Sequence, residues 1–191
     1  MMVIFCEDYS IRNVEEKDLP QLLEWRNSDR IRKNMLTQHI ISWEEHKNWF
    51  KKISQYDKPL HFVVEYKNEM VGYCGINDYN PQNKSCTSGF YIGKADNVPV
   101  DIALMCGYLL NVYIFERLGM KCVESDVILE NKRVLKFNKM IGARVKENSK
   151  YILHTDYGDK ETVTLVYEKN IVLSKLEGFL DINIHDVNIQ E

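Results

Sequence analysis

The chain predicts an α/β fold, a mixed sheet with helices on its faces, and three stretches carry that reading. Residues 88–118 hold a compact apolar strand, Gly89-Phe90-Tyr91-Ile92-Gly93, a polar loop through Asp96, Asn97 and Pro99, and then a run apolar on nearly every face from Ile102 to Phe115. Ser42-Trp43-Glu44-Glu45 is a capping box that starts an amphipathic helix. Residues 60–76 read as two strands joined by a Lys67-Asn68-Glu69 turn. A strand that stops where a buried helix begins opens a cleft, and the free N–H groups at such a helix start favour anions. The same stretch also reads as a plain strand–helix packing unit.

Taken in order, residues 9–14 alternate as a first strand, and Asp18 is placed to cap a helix carrying Leu19, Leu22 and Leu23, with Pro20 inside its first turn. Asn27-Ser28-Asp29 breaks that helix, and Arg30 to Asn34 form a short basic turn or helix, read as a solvated face. The helix from Ser42 fades near Pro59, the strand pair of residues 60–76 follows, and Asn80-Pro81-Gln82-Asn83-Lys84 is a second turn. Asp101 opens the buried helix and Gly119 stops it. Residues 121–128 alternate as a strand with Glu124, Asp126 and Ile128 on one face. A helix over residues 131–140, a strand over 143–154, a Tyr157-Gly158-Asp159 turn and a strand over 161–168 complete the body. Trp25, Trp43 and Trp49 are read as core and helix-packing residues.

The 191 residues suit one domain with a real core. A net charge of -3 gives no basic field, so nucleic acid is not an expected partner. The five cysteines are scattered without a C-x-x-C pair, and the five histidines lack ligand spacing, so a reducing compartment and no metal are expected. No secretory signal is read at the N-terminus, and the most apolar window is too short to span a bilayer; a cytoplasmic protein without membrane partners is the expectation.

The element order over residues 9–168 resembles the GCN5-related N-acetyltransferase (GNAT) superfamily. Within it, Glu24-Trp25-Arg26-Asn27, Met35, His39, Ile41-Ser42, Glu45-His46 and Trp49-Phe50 resemble the aminosugar branch, in particular its pseudaminic acid pathway members, which acetylate the 4-amine of a nucleotide-linked dideoxy aminosugar. The resemblance implies a mixed, mostly antiparallel sheet with a V-shaped splay between its fourth and fifth strands. It also implies acetyl transfer from acetyl-CoA as co-substrate. It assigns the acetyl-CoA arm to Phe90, Tyr91, Ile92 and Gly93, with Asp101, Ile102, Ala103 and Leu104 at the helix start and Asn131 at the late helix. Backbone at residues 91–93 is expected to supply a donor for the reacting carbonyl oxygen. Asp126 sits where this branch tends to carry an acid, though Glu124 and Asp126 read equally well as solvated strand carboxylates. Two departures stand out. Val98-Pro99-Val100-Asp101-Ile102-Ala103 replaces the family's Q/R-x-x-G-x-G/A loop, and the Asp101 carboxylate is placed to cap the N–H groups a pyrophosphate would use. Asn138 stands where many relatives have a tyrosine that protonates the departing thiolate; it can still hydrogen-bond the sulfur.

For the acceptor, the resemblance points to Arg26, Asn27, Met35 and His46, with Arg26 on phosphate oxygens and Met35 against a base. Each has a plainer reading: Arg26 paired with Glu24 or Asp29, Met35 in the core, His46 on a helix surface. The implied function is an N-acetyltransferase acting on a nucleotide-linked aminosugar for bacterial surface glycans. Acetylation of a protein N-terminus and a non-catalytic binding module are the alternatives. Residues 1–169 are read as the acetyltransferase domain and 170–191 as a C-terminal extension that either frays or docks Leu176, Phe179, Leu180 and Ile182 on the body or on a second subunit of a homodimer.

Overall fold

The computed structural model describes residues 2–190. Strands β1 (Val3–Cys6) and β2 (Tyr9–Asn13) form a hairpin, followed by helices α1 (Leu19–Asn27), α2 (Asp29–Arg32) and α3 (Trp43–Ile53). The meander β3 (His61–Tyr66), β4 (Glu69–Asn80) and β5 (Ser85–Ile92) leads to α4 (Ile102–Val112), which widens into a π-turn over Tyr113–Arg117 and stops at Gly119, φ +66°. Then come β6 (Cys122–Ile128), α5 (Lys132–Met140), β7 (Arg144–Val145), β8 (Tyr151–Thr155), β9 (Gly158–Tyr167), α6 (Lys169–Leu180) and β10 (Asn188–Gln190). The sheet runs β10-β1-β2-β3-β4-β5-β6-β9-β7, with β8 also on β9; β5 and β6 run parallel and the other pairs are antiparallel. This is the mixed, mostly antiparallel sheet expected, and the predicted fourth and fifth strands are β5 and β6 because β1 precedes the first strand read from sequence.

Alternation divides the two faces. Phe62 meets Tyr113 edge-on at 5.2 Å, below α4, whereas His61 beside it meets Trp49 of α3 at 5.7 Å. Leu109, Leu110 and Ile114 are buried in the core, and α6 lies against α4 through Val172, Leu173 and Leu176, with Tyr108 donating to Glu177 at 3.0 Å. The extension from residue 170 to residue 190 therefore docks on the body, and β10 pairs with β1. The capping box forms as read: Ser42 N–H donates to Glu45 Oε2 at 2.9 Å, and Glu45 N–H to Ser42 Oγ at 3.2 Å. No helix among the described residues is long and apolar enough to cross a membrane.

Three expectations are corrected. Asp18 does not cap α1, because the buried Arg12 guanidinium takes its carboxylate in a fork of 2.7 and 2.9 Å, and Glu15 N–H donates to it at 2.8 Å. The strand over 143–154 is interrupted: β7 and β8 both pair with β9, but residues between them loop out around Asn148, whose φ is +53°. Trp43, read as packing, is 46 % exposed at the open end of α3.

Arg12 also donates to Glu65 at 2.7 Å, making a buried acid–base–acid cluster that ties β2, β3 and the start of α1. Burial alone would raise the Asp18 pKa, but the Arg12 hydrogen bonds and the Glu15 N–H outweigh it and hold the carboxyl below its ordinary range. A depressed carboxyl pKa stabilises the fold above the unfolded value and loses that contribution as pH falls through the folded one. Asp18→Asn should therefore cost about 3 kcal/mol in urea unfolding at pH 7 and flatten the loss of stability below about pH 4.

Candidate active site

The β5–β6 ladder covers only Ser85, Cys86 and Thr87 against Cys122, Val123 and Glu124. Beyond it, β5 stays with β4, pairing Tyr91 with Tyr73 and Ile92 with Gly72, while β6 stays with β9, pairing Asp126 with Thr164. The two strands thus part in a V. Gly93 N–H donates to Val71 O at 2.8 Å, and the antiparallel repeat of two turns the Tyr91 groups the same way. The N–H and C=O of Phe90 and Ile92 consequently face the gap. Of the donors expected at residues 91–93, the Ile92 N–H is the one that points there; those of Tyr91 and Gly93 belong to the β4 ladder.

Helix α4 begins at the mouth of this gap. Asp101 does not cap it: Tyr9 donates to its Oδ1 at 2.7 Å, and the side chain makes no cap hydrogen bond. Ile102 N–H is used by Pro99 O at 3.2 Å and Met105 N–H by Asp101 O at 3.0 Å, while the Ala103 and Leu104 N–H groups have no backbone partner among the described residues. The expected obstruction is thus drawn aside, and two donors remain for an anion. Asn131 caps α5, its Oδ1 accepting from Val134 N–H at 3.3 Å, so its side chain serves that helix.

The gap has two differently furnished sides. On the α4–α5 side, Phe90 meets Phe137 edge-on at 5.8 Å, and Asn138 is buried with its Oδ1 accepting from Tyr167 Oη at 2.9 Å, leaving the amide N–H₂ as its donor. On the other side lie Tyr91 and, by alternation from Glu124, Asp126. Asp126 accepts from Thr164 Oγ1 at 2.6 Å and from Tyr151 Oη at 3.1 Å; both donors are neutral and orient it without cancelling its charge. Glu124 is instead ion-paired with Lys146 at 2.8 Å.

Above Tyr91 lie the residues read as acceptor contacts. Arg26 donates from Nη2 to Thr37 O at 2.6 Å, and its Nη1 is buried with no hydrogen-bond partner. Burial pulls its pKa down, and the hydroxyls of Tyr91 and Tyr73 lie within electrostatic range. Met35 is half-buried in the turn after α2. Asn27 is bonded within the protein: its amide donates to Ile41 O and accepts from Ile41 N–H, each at 2.9 Å, which pins the loop of residues 33–41. His46 is likewise bonded within the protein, and it is buried rather than on a helix surface. Its Nε2 is bonded to Leu19 O at 3.1 Å and its ring stacks on Trp49 at 5.1 Å, so it ties α3 to α1 from behind that indole. Trp25 lies over Gly93, where a Cβ would collide with its ring.

The basic run is solvated only in part: Arg30 and Lys33 are exposed, but Arg30 and Arg32 are both bonded within the protein. Arg30 reaches from α2 to Ile92 O at 3.1 Å and to Gly93 O, securing the end of β5. Arg32 is buried, bonded to Asp29 at 2.6 Å and Gln38 O at 3.0 Å, and it meets the hydroxyl and ring face of Tyr157, at the tip of the β8–β9 hairpin. That hairpin roofs the Tyr91 side. Nothing local in the sequence marks these partners; the one available signal is the i, i+2 spacing of Arg30 and Arg32, which cannot put both on one solvated helix face.

A sheet parted beside a buried helix start, with a carboxylate on the parted strand, is the arrangement expected of an acetyltransferase. The chain belongs to the GNAT acetyltransferase family: the acetyltransferase (GNAT) domain model matches residues 9–144. It is 27% identical over 152 residues to the acetyltransferase PseH of Campylobacter jejuni, spanning 80% of this chain and 92% of that one. Among solved structures it is similar to spermidine N-acetyltransferase from Vibrio cholerae in complex with CoA and spermine (TM-score 0.75, 15% identity, 87% of this chain and 98% of that one). It is also similar to apo FdhC, a nucleotide-linked sugar GNAT (TM-score 0.72, 16% identity, 92% and 94% covered). At these identities the structural matches establish the fold.

Asn27→Ala removes both bonds to Ile41 and should cost about 2 kcal/mol in denaturant unfolding, with faster proteolytic nicking in residues 33–41 than in the parent.

Proposed function

We propose that this acetyltransferase moves an acetyl group from acetyl-CoA to the amine of a nucleotide-linked aminosugar. The observation that carries the acceptor reading is the buried, unpartnered Nη1 of Arg26 beside Tyr91 and Tyr73, on the face that Asp126 shares. A buried guanidinium N–H without an acceptor is costly, and a phosphate or sugar oxygen removes that cost. A polyamine or a peptide N-terminus would bring a second cation to the same place. The relationship to PseH and the likeness to a nucleotide-linked sugar enzyme support the same reading.

Acetyl-CoA, when bound, supplies an activated acetyl group as a thioester. The gap-facing N–H and C=O of Phe90 suit the amides of its arm, and the Ala103 and Leu104 N–H groups suit its pyrophosphate. Asp126 then accepts a proton from the acceptor ammonium, directly or through water, since an amine attacks only once deprotonated. Ile92 N–H donates to the carbonyl oxygen as charge gathers there. The Asn138 amide donates toward the departing sulfur, for which a thiol pKa near 8.5 makes a full acid helpful but dispensable. Met35 flanks the acceptor, with Asn27 and His46 holding the elements behind it.

The test is incubation with acetyl-CoA and a panel of UDP- and dTDP-linked 4-amino sugars, following free thiol; release that depends on one of these sugars is expected, and none overturns the acceptor assignment. Arg26→Ala should raise the acceptor KM by about 10- to 100-fold while the acetyl-CoA KM stays within about twofold. Equal effects on both would count against its role. Tyr9→Phe releases Asp101 toward the α4 N–H groups and should raise the acetyl-CoA KM by about two- to fivefold with the acceptor KM unchanged.

A further inference from the structure

His61, 6 % exposed on β3, has no place in the chemistry above, yet its Nδ1 lies 2.6 Å from the Tyr73 hydroxyl. Trp49 closes one flank, edge-on to His61 at 5.7 Å and to Tyr73 at 6.0 Å, and Tyr56 stacks on the imidazole at 6.2 Å. Tyr73 in turn stacks on Tyr91 at 5.4 Å. Gly75 makes room for the pair: a Cβ there would overlap the Tyr73 hydroxyl and stand 2.9 Å from His61 Nδ1.

Burial pushes the His61 pKa down to about 4, so the imidazole is neutral at working pH, and burial likewise keeps the Tyr73 phenol protonated. Between a neutral imidazole and a phenol, the O–H is the stronger donor and the bare ring nitrogen the stronger acceptor. The Tyr73 proton is thereby committed to Nδ1, and its oxygen keeps only lone pairs for a further partner. Arg26 Nη1, on a guanidinium within electrostatic range of Tyr73, is buried and has only an unmet N–H to offer.

We propose that Tyr73 is a specificity-determining residue and His61 its positioning residue: together with Arg26 they read a hydroxyl of the acceptor sugar, which donates to Tyr73 Oη and accepts from Arg26 Nη1. This rests on the aminosugar reading above. A group that only donates, such as an ammonium, leaves Arg26 unmet; one that only accepts, such as an ether oxygen, leaves Tyr73 unmet.

The test has two parts. Imidazole ¹⁵N shifts of the free protein should show His61 as the neutral Nε2–H tautomer from pH 5 to 8; an Nδ1–H tautomer overturns the proposal. In steady-state kinetics with the sugar found in the panel, His61→Phe, Gly75→Ala and Tyr73→Phe should each raise the acceptor KM by roughly tenfold, with kcat and the acetyl-CoA KM within about twofold. His61→Gln, which keeps an acceptor atom, should recover most of the loss, and His61→Phe/Tyr73→Phe should lose no more than Tyr73→Phe alone. An unchanged acceptor KM in Tyr73→Phe, or additive losses in the double variant, overturns it. Should His61→Phe fail to fold, Gly75→Ala and Tyr73→Phe decide the matter. A parent enzyme that acetylates none of the sugars overturns the aminosugar reading and this inference with it, whereas parental turnover with unaltered variants overturns this inference alone.

Discussion

The hydrogen-bond ladder between β5 and β6 ends after Thr87 and Glu124, and the rest of the molecule is arranged around that ending. Two strands that have started side by side would continue pairing unless each had a better partner. Here β5 remains with β4 as far as Gly93 and β6 with β9 as far as Ile128, so each parted strand keeps one complete ladder. Arg30 fastens the free end of β5 by its carbonyls, and Trp25 covers Gly93. Below, Phe90 and Phe137 meet edge-on over Gly107 of α4, where a Cβ would make ordinary contact with both rings. The exposed backbone of Phe90 and Ile92 is tolerable because the surrounding elements, rather than that backbone, supply the stability.

The arginines show how the fold separates structural from functional charge. Arg12 is met by two carboxylates and serves the core. Arg32 has both terminal nitrogens engaged, by Asp29, Gln38 O and Tyr157. Arg30 spends its charge on backbone carbonyls. Arg26 alone among these four holds a buried terminal nitrogen with no hydrogen-bond partner among the described residues, and it lies within electrostatic range of Tyr91.

Features written in local chemistry were legible in the sequence. Helix α4 shows as an apolar run with a glycine stop, α3 as a Ser-Glu capping box, and the β3–β4 turn as Lys67 and Asn68, both of which take positive φ. Whatever depended on a partner from elsewhere in the chain was not. Asp101 reads as a helix cap until Tyr9, 92 residues earlier, takes its carboxylate. Asp18 reads as a cap until Arg12 does the same. Asn27 and His46 carry polar groups that suit a ligand equally well, and only the backbone of Ile41 and Leu19 shows where those groups go. The strands β1 and β10 span four and three residues, too few for periodicity to register.

The β8–β9 hairpin and α2 meet through Tyr157 and Arg32, so the proposed acceptor chamber is walled by segments 125 residues apart in the chain. Residues in direct contact do not vary independently. Altering the roof without the floor strands an aromatic tip or a buried guanidinium, which sets up epistasis between the two segments. Descendants of this enzyme that acquire a new acceptor should therefore carry compensating replacements in both, inherited as a linked set rather than one at a time.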